Sequence, residues 1–431
     1  MSFSAALALT PREVWRFRPH EAVVYTALVA WFERTGLWRY PVRASGDLET
    51  MRFLDKVYWL YKAGCPIRHG VRGAGLEAHF EANRSHVWRL PPGFRSDQEA
   101  RVSAVGDLMN HAYLASSADT LYPRVRELIF GVDLAMANLE CVVRESPAGS
   151  LQIDARSAPT LSLDPRSLDV VAGHGPKRYA LMATACNHSL DFGVEGVRST
   201  IEALRARQIA FAGLNEREED ARAMTILDAN GIRVGVLAFT FGLNANRPPA
   251  DRPRLVNRMR LDARPAQVDF AQLEAQLAHG RRTQVDFVVA QLHWGMEFEL
   301  YPRPEQLELA HHLAELGVDA IIGHHPHVLQ PVESYRTRRD PDRVVPIFYS
   351  LGNLTNPFSA PYLCRSGVAR IELARGATGD GRPRTYVTAA RVAEVVQVAD
   401  PVRRKLSLEL AGPLSGSRIT GYRGRRVRST Q

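Results

Sequence analysis

Short apolar runs of strand length alternate with helical stretches from residue 101 to residue 349, and this alternation constrains the fold more than any other feature. Strands separated by helices are not joined as hairpins. They need crossover connections, which set them side by side in an α/β sheet with helices covering its faces. The runs over 101–105, 134–139, 179–185, 232–241, 287–292, 318–322 and 344–349 predict strands. Helices are expected over 123–130, 194–208, 265–281 and 304–316, the second with Val194, Val197, Ile201 and Leu204 on its inner face. A final β segment covers 367–374 and 385–398. The stretches 151–177 and 244–265 read as loops, the first rich in Ser, Pro and Gly, the second in Arg and Pro.

Residues able to hold a metal follow five of these strands. The run over 318–322 stops at Gly323 and is followed by His324, His325, Pro326 and His327. A residue before proline is pushed toward extended geometry, so 325–327 is expected to run extended, with His325 and His327 on one face and His324 pointing elsewhere. Asp107, Glu140, Asn187 with His188, and His293 each follow another strand. Open α/β sheets bind ligands outside the carboxyl ends of their strands. Taken singly, each residue has an ordinary reading. Asp107 could form a turn, Glu140 could be a solvated strand end, and His293 could be a core histidine. Asn187 and His188 could cap the next helix, a role for which Asp191 is the better placed. Together they predict an assembled metal centre. Oxygen and nitrogen ligands without cysteine suit Mn, Fe or Zn better than Ca or Mg, and two such ions about 3.5–4 Å apart would serve a hydrolase. His188 is placed to protonate a leaving group or hold an oxyanion. Cys141 and Cys186 flank two ligands and read as small buried residues.

The formal charge of +9 invites a polyanion partner, but its location weakens that reading. From residue 401 to 431, eight basic residues face the single acid Glu409, a net +7, which leaves +2 for the other 400 residues. The body carries no nucleic-acid signal, and 401–431 is read as a basic, flexible tail. The four cysteines show no C-x-x-C spacing, which argues against a zinc knuckle or a disulfide scaffold. Residues 1–10 lack the pattern of a signal peptide, and the apolar run 22–32 falls short of the ~20 residues a span requires. A cytoplasmic protein is expected, with peripheral membrane association left open.

Residues 1–100 form a helical, aromatic-rich extension holding five of the six tryptophans. Thr10-Pro11-Arg12-Glu13 fits a helix start, and Pro19 is expected to end that helix. Further helices are expected over 22–33 and 51–62, the latter with Phe53, Leu54, Val57, Leu60 and Tyr61 on one side. Pro91-Pro92-Gly93 and the residues to Ala100 read as a linker into a domain over 101–400.

The motifs are recognisable as a set. Gly106-Asp107-Leu108-Met109, Asn138-Leu139-Glu140, Asn187-His188-Ser189-Leu190-Asp191-Phe192-Gly193, His293-Trp294-Gly295-Met296-Glu297, Gly323-His324-His325-Pro326-His327-Val328-Leu329-Gln330 and Tyr349-Ser350-Leu351-Gly352-Asn353-Leu354 occur in the order found in the CapA family. That family of poly-γ-glutamate capsule proteins lies within the calcineurin-like metallophosphoesterase superfamily, which this chain resembles from Gly106 to Leu354. The resemblance implies an α/β fold, a four-layer α-β-β-α metallophosphatase-like sandwich of two mixed sheets. It implies two divalent transition-metal ions held by Asp107, Glu140, Asn187, His293, His325 and His327, with His188 as the acid or phosphate-binding histidine. Asp191, Glu297 and Asn353 would stand behind them. Met109 occupies the place of the histidine in the superfamily's D-x-H, as is usual in the CapA branch, and leaves one metal a ligand short. Cys186 stands where that branch often has a second Asn. The implied activity is hydrolysis of a phosphoester or amide in capsule or envelope polymer biosynthesis, with an anionic polymer or phosphorylated precursor, and other capsule-synthesis proteins, as partners. The alternative is a non-catalytic assembly or polymer-binding component that keeps the fold and works through the basic tail.

Overall fold

The computed structural model describes residues 18–46, 50–83, 86–145, 160–358 and 360–411. The Thr10–Glu13 helix start lies outside them. Three helices come first: α1 (Pro19–Thr35), α2 (Phe53–Gly64) and α3 (Leu76–Asn83). Pro19 opens α1, because its fixed φ and missing N–H suit the first turn, while Arg18 before it is extended; the helix it is expected to end lies outside the described residues. α2 buries Val57, Tyr58, Trp59, Leu60 and Ala63. Phe53 and Leu54, expected on the same side, lie in its first turn and are exposed.

The strands of the main body are β1 (Arg95–Leu108), β2 (Leu134–Leu139), the two-residue β3 (Val142–Val143), β4 (Ser162–Leu163), β5 (Gly173–His174) and β6 (Lys177–Arg178), then β7 (Leu181–Ala183) and β8 (Ala210–Ala212). They are followed by β9 (Thr225–Ala229), β10 (Ile232–Thr240), β11 (Phe287–His293), β12 (Ala320–His324), β13 (Val332–Arg336), β14 (Val344–Phe348), β15 (Arg365–Ala377), β16 (Pro383–Asp400) and β17 (Lys405–Leu410). The remaining helices are α4 (Arg126–Phe130), α5 (Pro165–Val171), α6 (Gly193–Arg205), α7 (Ala271–Arg282) and α8 (Pro304–Leu316).

Thirteen of these strands make two large mixed sheets, while β3 with β4 and β5 with β6 form two-stranded ones. The seven-stranded sheet runs β17-β16-β15-β1-β2-β7-β8, with β1, β2, β7 and β8 parallel. The six-stranded sheet runs β13-β14-β12-β11-β10-β9, with β14, β12, β11 and β10 parallel. Alternation along the strands assigns the faces. Val102 and Ala104 of β1 pack with Val234, Val236, Val289 and Ile322 of the other sheet in one apolar layer between the two. The far face of the first sheet is covered by Ile129, Leu168 and Val171 from α4 and α5, and that of the second by Leu273, Leu277, Leu309 and Leu313 from α7 and α8. The layers are therefore helix, sheet, sheet, helix, as the family resemblance implies.

Four local expectations give way. Residues 95–100, read as linker, extend β1, where they pair antiparallel with β15. Part of 151–177, read as loop, forms α5, started by Pro165 in its first turn and by the Asp164 carboxylate, which accepts from the Arg166 and Ser167 amides at 3.0 Å each. The helix expected over 265–281 is broken, with a 3-10 turn at Pro265–Gln267 ahead of α7. Inside the stretch read as basic tail, β17 pairs with β16 and buries Leu406 and Leu408. Among the described residues no helix is long and apolar enough to cross a membrane.

Candidate metal centre

The parallel strands of both sheets point their carboxyl ends at one edge, and the ligand-competent residues collect there. Asp107 leaves β1 just beyond Gly106, where any Cβ would collide with the Gly352 carbonyl oxygen. Only glycine admits that approach, which also lets the Asp107 amide donate to the same carbonyl at 2.9 Å. Glu140 follows β2, Asn187 and His188 follow β7, His293 ends β11, and His325 and His327 follow β12. All six proposed ligands are at least 95% buried, so the turn-former, solvated-end and cap readings of Asp107, Glu140 and Asn187 do not hold.

Both Glu140 oxygens, both ring nitrogens of His325 and Nδ1 of His293 are buried without a hydrogen-bond partner. Buried polar groups are ordinarily paired, so orphans on three converging side chains indicate a missing ligand. Glu140 Oε1 lies 3.5 Å from His293 Nε2 and 3.7 Å from His327 Nε2. His327 Nε2 is 3.8 Å from Glu297 Oε1, and His327 Nδ1 is 3.7 Å from Asp107 Oδ2. Three overlapping groups of possible ligand atoms result: Glu140 with His293 and His325, Glu297 with His325 and His327, and Asp107 with Glu140 and His327. The donor set fits divalent transition ions. It also brings Glu297, expected behind the ligands, level with them.

Other contacts orient the set. Asn187 Oδ1 is 2.9 Å from His293 Nε2, and Asn353 Oδ1 is 2.7 Å from His327 Nδ1. His188 Nδ1 sits 2.7 Å from Asp191 Oδ2, which also accepts from the Leu161 amide at 2.7 Å. Asp191 thus serves His188 and the chain at Leu161, and caps no helix; the residue before α6 is Phe192.

The histidine segment departs from its expected geometry. His325 and His327 have φ of 93° and 57°, so the backbone turns through the left-handed region at both. Their rings still come together, with centroids 5.8 Å apart, because each residue bends in a similar sense around Pro326. Strained φ values of this kind persist where surrounding contacts over-determine them. His324 does not point away: its Nδ1 lies 3.0 Å from Asp107 Oδ1, and its Nε2 3.2 Å from Gln291 Oε1. Strand alternation sends His324 to this side because it is still within β12 when it passes Asp107.

Electrostatics divides the groups. Burial pushes His293 down to about 3 and His325 well below its ordinary value, which keeps both rings neutral, the form that ligates. Burial raises Glu140. Burial also works against ionised Asp107, but the contact with His324 and the charges of the neighbouring histidines outweigh it and hold the carboxyl low. For His188, burial pulls down and Asp191 more than offsets it, so the imidazole is raised.

Several contributors were not foreseen. Asn138 donates to Asp107 Oδ1 at 2.9 Å; it is two residues before Glu140 on β2, and alternation places both on one face. Asn244 accepts from Asn187 at 3.3 Å out of an irregular loop, where no periodicity marks it. Trp59 of α2 donates its indole N–H to Glu297. That contact forms because α2 packs over the two loops carrying Phe298 and Val328, and it is visible only in the folded chain. Lys62 on the same helix reaches Glu299 at 3.0 Å, both buried, and Arg303 closes on the same carboxylate at 2.9 and 3.0 Å. Met109 is buried, with its amide donating to Thr355 Oγ1 at 2.8 Å and its sulfur accepting from Asn356 Nδ2 at 3.8 Å.

CapA, a capsule biosynthesis protein of Bacillus anthracis, is 27% identical over 268 residues, 61% of this chain and 61% of that protein. The PGA biosynthesis protein CapA of Bacillus subtilis (strain 168) is 27% identical over 302 residues, 66% of this chain and 70% of that protein. A probable polyglutamine synthesis accessory protein of Mycobacterium tuberculosis is 27% identical over 181 residues, 41% of this chain and 45% of that protein. The chain thus spans less than two thirds of the length of the Bacillus anthracis relative. Among solved structures, a hypothetical protein from Thermus thermophilus aligns with 70% of this chain and 100% of its own, at 15% identity and a TM-score of 0.37. A putative 5'-nucleotidase from Staphylococcus aureus in complex with alpha-ketoglutarate aligns with 68% of this chain and 54% of its own, at 13% identity and the same TM-score of 0.37. Neither of these two likenesses bears on chemistry. The sequence profile of the bacterial capsule synthesis protein PGA_cap matches residues 101–357, which is more than half of the chain and holds every residue of the centre except those of α2, so the chain belongs to that family.

Proposed function

We propose that this protein is a metal-dependent hydrolase acting on a phosphoester or a γ-glutamyl-type amide in the synthesis of an anionic capsule or envelope polymer. The observation that carries the proposal is the orphaned set of buried ligand atoms on Glu140, His293 and His325. Asp107, Glu140, Asn187, His293, His325 and His327 would hold two divalent ions, of Mn, Fe or Zn type given the mixed oxygen and nitrogen donors. Such ions supply Lewis acidity and a water acidic enough to attack near neutral pH. The remaining work falls to the chain. His188, with Nδ1 engaged by Asp191, keeps Nε2 for donating a proton to the departing oxygen or nitrogen, and its raised basicity favours the protonated form that does so. Asp191 steadies the imidazolium and fixes its orientation. Asn353 fixes His327, and Trp59 fixes Glu297.

Elemental analysis of the full chain tests this, beside a variant carrying His325→Ala and His327→Ala. About two equivalents of a transition metal at this centre, falling sharply in the variant, are expected, together with turnover of a phosphoester or γ-glutamyl amide by the parent. A third protein, His188→Asn, is expected to keep its metal and lose turnover. A parent that stays metal-free after reconstitution would overturn the proposal and favour an assembly or polymer-binding role.

A further inference from the structure

A second cluster of ligand atoms lies on the outer, helix-covered face of the six-stranded sheet and shares no residue with the centre above. His79 of α3, His311 of α8 and Glu333 of β13 bring their ligand atoms together. His79 Nε2 and His311 Nε2 lie 2.9 and 2.8 Å from the same oxygen, Glu333 Oε1. We propose that these three residues form a separate binding site for a divalent transition-metal ion of the zinc type, which fastens the N-terminal helix α3 to the body of the molecule.

Four features support the site. Ligands about 2.0–2.1 Å from one tetrahedral ion stand about 3.3–3.4 Å apart, so the observed separations of 2.9 and 2.8 Å put both nitrogens within a small adjustment of sharing an ion with Glu333 Oε1. The Glu333 side chain is 2% exposed, and among the described residues no Lys or Arg pairs with it; only the two imidazoles do. A carboxylate buried in this way is ordinarily matched by a full positive charge, which a bound ion would supply as a protonated imidazole would. The carboxylate is also held as a ligand should be: its other oxygen accepts from the Tyr349 hydroxyl at 2.6 Å, and the His311 ring stacks on Tyr335 with centroids 4.0 Å apart. Finally, the His79 and His311 side chains are 34% and 28% exposed, which leaves a path for an ion and room for a water as a further ligand.

The consequence is structural. α3 reaches this face through Leu76 and Phe80, which pack into the apolar layer beneath α8, and through the Ser334 amide, which donates to Asn83 at 3.3 Å. An ion between His79 and the His311–Glu333 pair would add a coordinate link between segments more than 200 residues apart in sequence.

Zinc ion alone is the probe. The metal-free full chain is loaded with Zn2+, freed of excess, and analysed beside His79→Gln and His311→Gln, in which the glutamine amide can still donate to Glu333. Each variant is expected to hold about one equivalent less than the parent and to lose part of the rise in melting temperature that zinc gives the parent. In a protein carrying His293→Ala and His325→Ala, the zinc lost on adding His311→Gln separates this site from failure of the metal centre. Equal zinc content and equal zinc-induced stabilisation in the parent and in both folded glutamine variants would overturn the site and leave a hydrogen-bonded triad.

Discussion

Glu140 shows how one residue can be costly to the fold and useful to the site. Its carboxylate is buried, lacks any donor, and is pushed toward the protonated form by that burial. An ion would repay what the fold alone does not. Glu140→Gln is therefore expected to abolish metal at the centre while leaving the metal-free protein no less stable than the metal-free parent, as read by calorimetry. A fall of more than about 2 kcal/mol in the metal-free comparison would instead mark the carboxylate as a structural acceptor. Gly323 carries the opposite kind of constraint. A Cβ there would collide with the Tyr349 carbonyl oxygen and lie 2.6 Å from Trp294 Nε1. Gly323→Ala is expected to cost at least about 3 kcal/mol in urea unfolding. Gly379→Ala, at a position with nothing within 4 Å, should stay within about 0.5 kcal/mol of the parent.

Elements were legible where one period dominated and hidden where tertiary contacts decided. β2 and α8 lie where their apolar patterns predict, because β2 is buried along its whole length and α8 buries one consistent face. α5 was masked by its own Ser and Pro content, although Asp164-Pro165 is a helix start by any chemical criterion. β17 was masked by the arginines around it, since charge counting does not register that Leu406 and Leu408 alternate into the core. The convergence of the proposed ligand residues was readable because strand ends place them. His324, Asn244 and Trp59 were not, since two depend on loop or helix docking and the third on β12 continuing through Gly323 to His324. α2 illustrates such docking. Glu299 accepts from Lys62 and Arg303 in a buried cluster, and although burial pushes its carboxyl up, the two cations hold it at about 2, below an ordinary value of 4.5. The folded carboxyl is thus the stronger acid. Its contribution is complete above the unfolded value and is lost as pH falls from 4.5 toward 2. Glu299→Ala strands two cations and is expected to cost about 3–5 kcal/mol near neutrality, whereas Lys62→Met leaves Glu299 paired with Arg303 and should cost less. The Glu299 variant should also flatten the acid limb of a pH–stability curve; an unchanged limb would show that the cluster contributes nothing to folding.

At the scale of the whole molecule, the centre is a joint. Asp107, Glu140 and Asn187 come from the seven-stranded sheet, while His293, His325 and His327 come from the six-stranded one. Most of the contact between the sheets is an apolar layer, which is strong but undirected, whereas coordination fixes distances. Ions at this edge would therefore tie the carboxyl ends of β1, β2 and β7 to those of β11 and β12, with α2 held in turn through Trp59 and Glu297. Anything that binds the folded state alone stabilises it by mass action, about 2.7 kcal/mol at a free concentration one hundred times the dissociation constant. Chelation should accordingly lower the melting temperature of the whole chain. The distribution of the effect is the sharper test. Amide hydrogen exchange on adding metal should slow on both sides of the joint, near 107–109 and 138–141 in one sheet and near 293–297 and 323–328 in the other. Protection confined to the second sheet would mean that the histidines bind the ion without the carboxylates, and that the two sheets are held together by packing alone.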